Sequence, residues 1–170
     1  MTTTAQSAAD PFDGKRPNVA YKFGPVAQVL HWGSLISGIL LSVALLVRYP
    51  ALPELVPVHF SFSGEPDLYG PRNSVFLLVA VFFVLTIVVF FLTTRPRWFN
   101  YPVPVTQENA AALYSNGATM MAWVAASMQL VYAGITLFYF GIASNVLLIV
   151  GLVAMLVISL IGVVRMFRLG

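Results

Sequence analysis

Four long apolar runs divide the chain, at about 26–47, 74–93, 116–140 and 143–164, and polar, proline-bearing segments separate them. Each run approaches the roughly 20 residues that carry a helix across a hydrocarbon layer about 30 Å thick. No ionisable side chain lies between Ser74 and Leu92 or between Ile142 and Val164. Such stretches can satisfy their backbone in lipid only as helices. The pattern predicts an all-α membrane protein of four transmembrane helices, with a Pro-rich outer loop between helices one and two. Residues 1–22, rich at the start in Thr, Ala, Ser and Asp, predict a disordered cytoplasmic segment, and 23–170 the transmembrane domain. The first run reads as a retained signal anchor, because Arg48-Tyr49-Pro50-Ala51 after it makes a poor cleavage site.

Within the runs the small and polar positions are ordered. Ser34, Gly38 and Ser42 repeat every fourth residue, a seam that lets a second helix approach closely. A comparable stripe in the third run holds Ala118, Ala122, Ala126 and Ala133, with Gln129 among them in need of a hydrogen-bond partner. Gly151, Ser159 and Gly162 supply close-contact positions in the fourth. The second run is nearly uniform Val, Leu, Ile and Phe, interrupted by Thr86, and predicts a lipid-facing helix. His31 and Trp32 predict an interfacial pair of polar and aromatic anchors.

The 170-residue chain is 59% hydrophobic and 9% charged, with a net charge of +3, which places it in lipid and not in water. Lys15, Arg16, Lys22, Arg95, Arg97, Arg165 and Arg168 fall on one side of the four crossings, against Arg48 and Arg72 on the other. Seven against two puts both termini and the 94–115 segment in the cytoplasm. These cations flank apolar runs, so nucleic acid is not an expected partner. Cysteine is absent, which removes thiol catalysis and Cys-based metal sites.

The outer segment 48–73 holds His59, Glu54, Glu65 and Asp67, with Pro50, Pro53, Pro57, Pro66 and Pro71. So many prolines exclude a regular helix and predict a pinned series of turns. His59 with Glu65 or Asp67 could bind a cation or peptide; alternatively His59 donates to a loop carbonyl while Asp67 caps a turn. On the cytoplasmic side, Thr106 after Pro102 and Pro104 predicts a helix start, with Glu108 complementing the helix dipole. The third helix, running on to about Phe140, should project from the membrane by several turns.

The run Leu-Pro-x-x-Val-Pro-x-His-Phe-x-x-x-Gly-x-Pro-Asp-x-x-Gly at Leu52 to Gly70 resembles the signature of a bacterial domain of unknown function, which also forms the N-terminal part of SdpI-type immunity proteins. Phe99-Asn100-Tyr101-Pro102, continuing through Thr106, Glu108 and Asn109 to Tyr114, resembles the second signature of the same small proteins. Two departures stand beside the match. A basic residue expected soon after the final Gly is displaced to Arg72, and no counterpart of the immunity proteins' additional membrane region follows the fourth helix. The resemblance implies a multi-pass protein of the bacterial plasma membrane and carries no established chemistry.

It also points to His59, Phe60, Gly64, Glu65, Pro66, Asp67 and Gly70 as an outer partner-binding surface. Asn100, Tyr101, Pro102, Thr106, Glu108, Asn109 and Tyr114 form its cytoplasmic counterpart. Ser34, Gly38, Ser42, Ala122, Ala126 and Gln129 are the expected packing positions. No catalytic constellation, metal site or cofactor is expected: the two histidines lie a bilayer apart, which argues against bis-histidine haem. The expectation is a non-enzymatic binding, accessory or immunity-like protein that recognises a peptide or membrane-protein partner. The alternatives are a small oligomeric transporter or channel lined by Ser34, Ser42, Asn116 and Gln129, a homo-oligomer among them, and a permanent subunit of a larger complex.

Overall fold

A computed structural model describes residues 16–170, so positions 1–15 of the expected disordered segment lie outside the described residues. Four helices follow in order: α1 (Pro25–Arg48), α2 (Ser74–Thr93), α3 (Ala110–Tyr139) and α4 (Val146–Leu169). All four are long and apolar enough to cross a membrane. Large side chains such as Leu77, Phe91, Leu152 and Leu156 are exposed on their outer faces, as lipid solvation requires. The chain is a mostly helical, multi-pass membrane protein.

It is not all-α. Between α1 and α2 the Pro-rich segment forms an antiparallel hairpin of β1 (Leu55–Phe60) and β2 (Pro66–Pro71) in place of the expected series of turns. A two-stranded ribbon leaves one edge of each strand unpaired, so prolines are tolerated where their nitrogen faces outward or at a strand end. Pro66 and Pro71 occupy the two ends of β2, and register irregularities bracket His59 on β1. At the hairpin turn Gly64 takes φ +77°, a left-handed conformation costly for residues with a Cβ.

The third helix begins at Ala110, one turn later than Thr106 suggests. Thr106 and Asn109 bond each other reciprocally: the Asn109 amide donates to Thr106 Oγ1 at 3.3 Å, and the Thr106 amide to Asn109 Oδ1 at 2.8 Å. At the far end Gly141, at φ +78°, closes the helix. Its amide donates to the Phe138 carbonyl and that of Ile142 to the Leu137 carbonyl, the paired bonds of a Schellman stop.

Small residues let α3 and α4 lie together along much of their length. A Cβ added to Gly134 would stand 2.6 Å from the Leu148 backbone nitrogen, and one on Gly151 2.8 Å from the Ser127 carbonyl oxygen. On α1, Ser34, Gly38 and Ser42 are all buried. On α3, Ala118 and Ala122 are buried, whereas Ala126 and Ala133 line a groove toward α1. Gln129 finds its partner across the bundle: its amide donates to Thr86 Oγ1 at 3.0 Å. Thr86 therefore marks the packed face of α2, which is not lipid-facing all round. Ser42 Oγ and the Tyr132 hydroxyl lie 3.1 Å apart in the same interior.

His31 is a further correction. It is buried and stacks on Phe90 of α2, ring centroids 4.1 Å apart and planes 10° from parallel. Trp32 is the exposed member of the expected anchor pair. Facing α2 places His31 inside the helix contact, where an imidazole packs as a flat ring.

Candidate functional site

The two surfaces singled out by sequence sit at opposite ends of the bundle. At one end the hairpin is fastened onto the helices along its length. Leu52 and Val56 join Leu45, Val75, Val79, Tyr132 and Tyr139 in a buried apolar cluster. Tyr139 donates its hydroxyl to the Pro57 carbonyl at 2.9 Å, and Phe60 packs on Phe138. At the tip, the Asn145 side-chain amide donates to the Ser63 carbonyl at 2.8 Å and to Glu65 Oε1 at 3.1 Å. Gly64 is buried beneath, close to Asn145 and Ile149. Asn145 precedes α4, yet its side chain makes no capping bond because it is committed to the hairpin.

So held, the hairpin presents an outer face. His59 Nδ1 and Asp67 Oδ1 meet at 2.5 Å across the strands, with the two side chains 66% and 47% exposed. In this contact His59 faces the Asp67 carboxylate and not a loop carbonyl, and the two residues partner each other. Glu65 is drawn instead to Asn145. Among the described residues, no three His, Asp or Glu side chains come together. Elsewhere on the hairpin Leu55, Val58, Leu68 and Tyr69 are all exposed, and Phe62 projects fully from the tip. Pro66 is partly covered, and Gly70 lets Val58 pack against β2, where a Cβ would come within 2.9 Å of it.

The other end gathers residues far apart in sequence. Segment 16–24 runs without helix or strand across it. Tyr114, fully buried, donates to the Pro17 carbonyl at 3.0 Å, and Ser115 to that of Lys22 at 2.7 Å. Residues 16–22, expected to be disordered with the rest of the N-terminal segment, are thus bonded to α3. Tyr101 donates to the Pro96 carbonyl and lies against the Tyr114 ring at 5.9 Å. Gly117 makes room: a Cβ there would stand 2.9 Å from the Tyr101 hydroxyl.

Burial, with the Tyr114 phenol adding to it, pushes the Tyr101 hydroxyl well above its ordinary value, partly opposed by Arg16. Burial likewise raises Tyr21. Of the remaining signature residues, Asn109 also donates to the Pro104 carbonyl, whereas Asn100, Pro102 and Glu108 are exposed. Gly170 at the end of α4 lies against Val103, so both ends of the described chain meet here. Sequence reasoning passed over Tyr139, Asn145, Gly117 and Gly134. Each owes its role to a neighbour on another element, and only the glycines carry a local signal, being helix-interior residues with no propensity to justify them.

The family model described as Domain of unknown function (DUF1648) matches residues 35–84. This range takes in the C-terminal part of α1, the whole hairpin and half of α2. An uncharacterized protein of Archaeoglobus fulgidus is 40% identical over 76 residues, 37% of this chain and 42% of the relative. The chain thus aligns with about two fifths of the length of that curated relative. This relative is archaeal, whereas the sequence resemblance leads to the expectation of a bacterial protein. No solved structure matches.

Proposed function

We propose that the protein is a non-enzymatic binding or accessory protein of the plasma membrane, with both termini in the cytoplasm and the hairpin outside. The hairpin recognises a peptide or a membrane-protein partner. The observation that carries this is the way the hairpin is held: Tyr139, Asn145 and the apolar cluster fasten it to the bundle, while Phe62, Leu68, Tyr69 and the His59–Asp67 pair remain exposed. A rigid, preorganised ribbon with exposed aromatics loses little entropy on binding. Kinship with SdpI-type immunity proteins, which rests on the two signatures, fits a partner that is a peptide or toxin.

A transport path would need polar side chains turned into a route. Ser34 donates to the Leu30 carbonyl, Ser42 contacts Tyr132, and Asn116 donates to the Gly162 carbonyl. Gln129 donates to Thr86, and its carbonyl oxygen alone is left without a partner among the described residues. These donors are committed to the bundle itself, which favours binding over transport.

The test is photocrosslinking from position 62 in intact membranes, with the doubly substituted His59→Ala, Asp67→Ala protein and Tyr69→Ala as comparisons. An exposed side-chain pair of this kind contributes at most about 0.2–1 kcal/mol, so the double variant should fold and insert normally. Capture of a discrete partner by the parent and its loss in both variants is expected. An unchanged partner set removes the hairpin from this role.

A further inference from the structure

Beyond the hairpin, the opposite end carries a cavity of about 450 Å³ that the binding role does not use. Arg16, Arg95 and Arg97 line it together with Asn18, Tyr21 and Trp98, and among the described residues lining it none is acidic. The arginines are brought there by a built contact. Arg97 donates to the Arg16 carbonyl at 2.8 Å and to Asn18 Oδ1 at 3.2 Å, while Arg16 donates back to the Arg97 and Phe99 carbonyls. Arg16 also lies over the Tyr101 ring and Arg95 over Trp98, at 5.8 and 5.2 Å from the ring centroids. Carbonyls and rings orient guanidinium groups without cancelling their charge.

The cavity also has a fixed depth. Thr94 and Arg95 in its wall directly follow the last residue of α2, and Trp98 is exposed beside them, where the hydrocarbon gives way to headgroups. We infer that this cavity is a binding site for an anionic phosphate group, presented by a membrane lipid such as phosphatidylglycerol and clamped between Arg16, Arg95 and Arg97. Guanidinium forks match phosphate oxygens, and the aromatic walls suit the glycerol and upper acyl region. The inference stands apart from the proposed role of the hairpin and needs only that the helices span a bilayer.

The full chain, purified in mild detergent, is titrated with phosphatidylglycerol, with zwitterionic phosphatidylcholine and with inorganic phosphate, and bound species are counted by native mass spectrometry. One phosphatidylglycerol should be retained at least about tenfold more strongly than phosphatidylcholine, and inorganic phosphate should not displace it. Arg95→Gln, which disturbs no hydrogen bond described here, should weaken retention about fivefold. Arg97→Lys, which keeps the charge but loses the fork, should weaken it too. Arg168→Gln removes the same charge from the end of α4 and should leave retention unchanged.

Equal retention of the two lipids, or equal losses in Arg95→Gln and Arg168→Gln, would overturn the site in favour of general surface charge. Displacement by inorganic phosphate would overturn the lipid as its source. A circular dichroism melt of each variant separates loss of binding from loss of fold.

Discussion

Gln129 on α3 donates its amide to Thr86 on α2 at 3.0 Å, while its own carbonyl oxygen, equally buried, has no partner among the described residues. The two ends of one side chain are thus unequal, and so should be the two ways of removing the bond. Thr86→Val leaves both ends of a buried amide unpaired and should destabilise by about 1–3 kcal/mol. Gln129→Leu removes the orphan acceptor with the donor and should cost about 1 kcal/mol or less, in line with interhelical bonds in membranes. Equilibrium unfolding in mixed detergent micelles measures both; a larger loss for Gln129→Leu would contradict the assignment.

Gly134 and Gly33 offer a sharper contrast, since both are helical glycines. Gly134 faces the Leu148 backbone, which cannot swing aside, whereas nothing lies within 4 Å of a Cβ at Gly33. Gly134→Ala should destabilise by at least about 1–3 kcal/mol through forced separation of α3 and α4. Gly33→Ala should be neutral or stabilise by up to about 1 kcal/mol. Thermal aggregation in detergent ranks the two.

Asn145 ties the hairpin tip to α4 with two bonds. Asn145→Ala should lower global stability by only about 1 kcal/mol, because the apolar cluster around Val56 and Tyr139 is untouched. Locally the effect should be large: hydrogen exchange at Ser61 and Gly64, whose amides close the turn, should accelerate while exchange in α3 is unchanged.

Tyr101 and Tyr21 carry phenols raised above 10.0, chiefly by burial. For a group whose folded pKa exceeds its unfolded one, the stabilisation is fully present below the unfolded value. It is lost as pH rises through the folded value. Stability should therefore hold to about pH 10 and fall beyond it, and Tyr101→Phe should make that fall shallower. Tyrosinate absorbance during alkaline titration should show a late-titrating component that loses one phenol's amplitude in Tyr101→Phe.

The helices were legible in the sequence because lipid imposes a local rule: about twenty uncharged residues have no other way to satisfy their backbone. All four spans came within a few residues of the structure at most ends, the exceptions being the end of α4, which runs past 164 to Leu169, and the start of α3, which the sequence placed at Thr106 by its cap and at 116 by its apolar run. Ser34, Gly38 and Ser42 declared a packing face for the same reason, since helical periodicity alone puts them in line. The 52–70 and 99–114 segments stood out as specific patterns, and the structure places each at one end of the bundle.

Tertiary structure decided what those segments are. The prolines of 50–71 spoke against a helix, but whether they made turns or strands depended on Tyr139, Val56 and Asn145 supplying the surface on which a two-stranded ribbon becomes stable, since alone it is marginal. The partners of Gln129, His31 and Arg16 could not be named from sequence, because each lies more than forty residues away and is chosen by how the helices cross. A sequence can show that a buried amide or guanidinium needs a partner; only the packing of the bundle selects Thr86 for one and the Arg97 loop for the other.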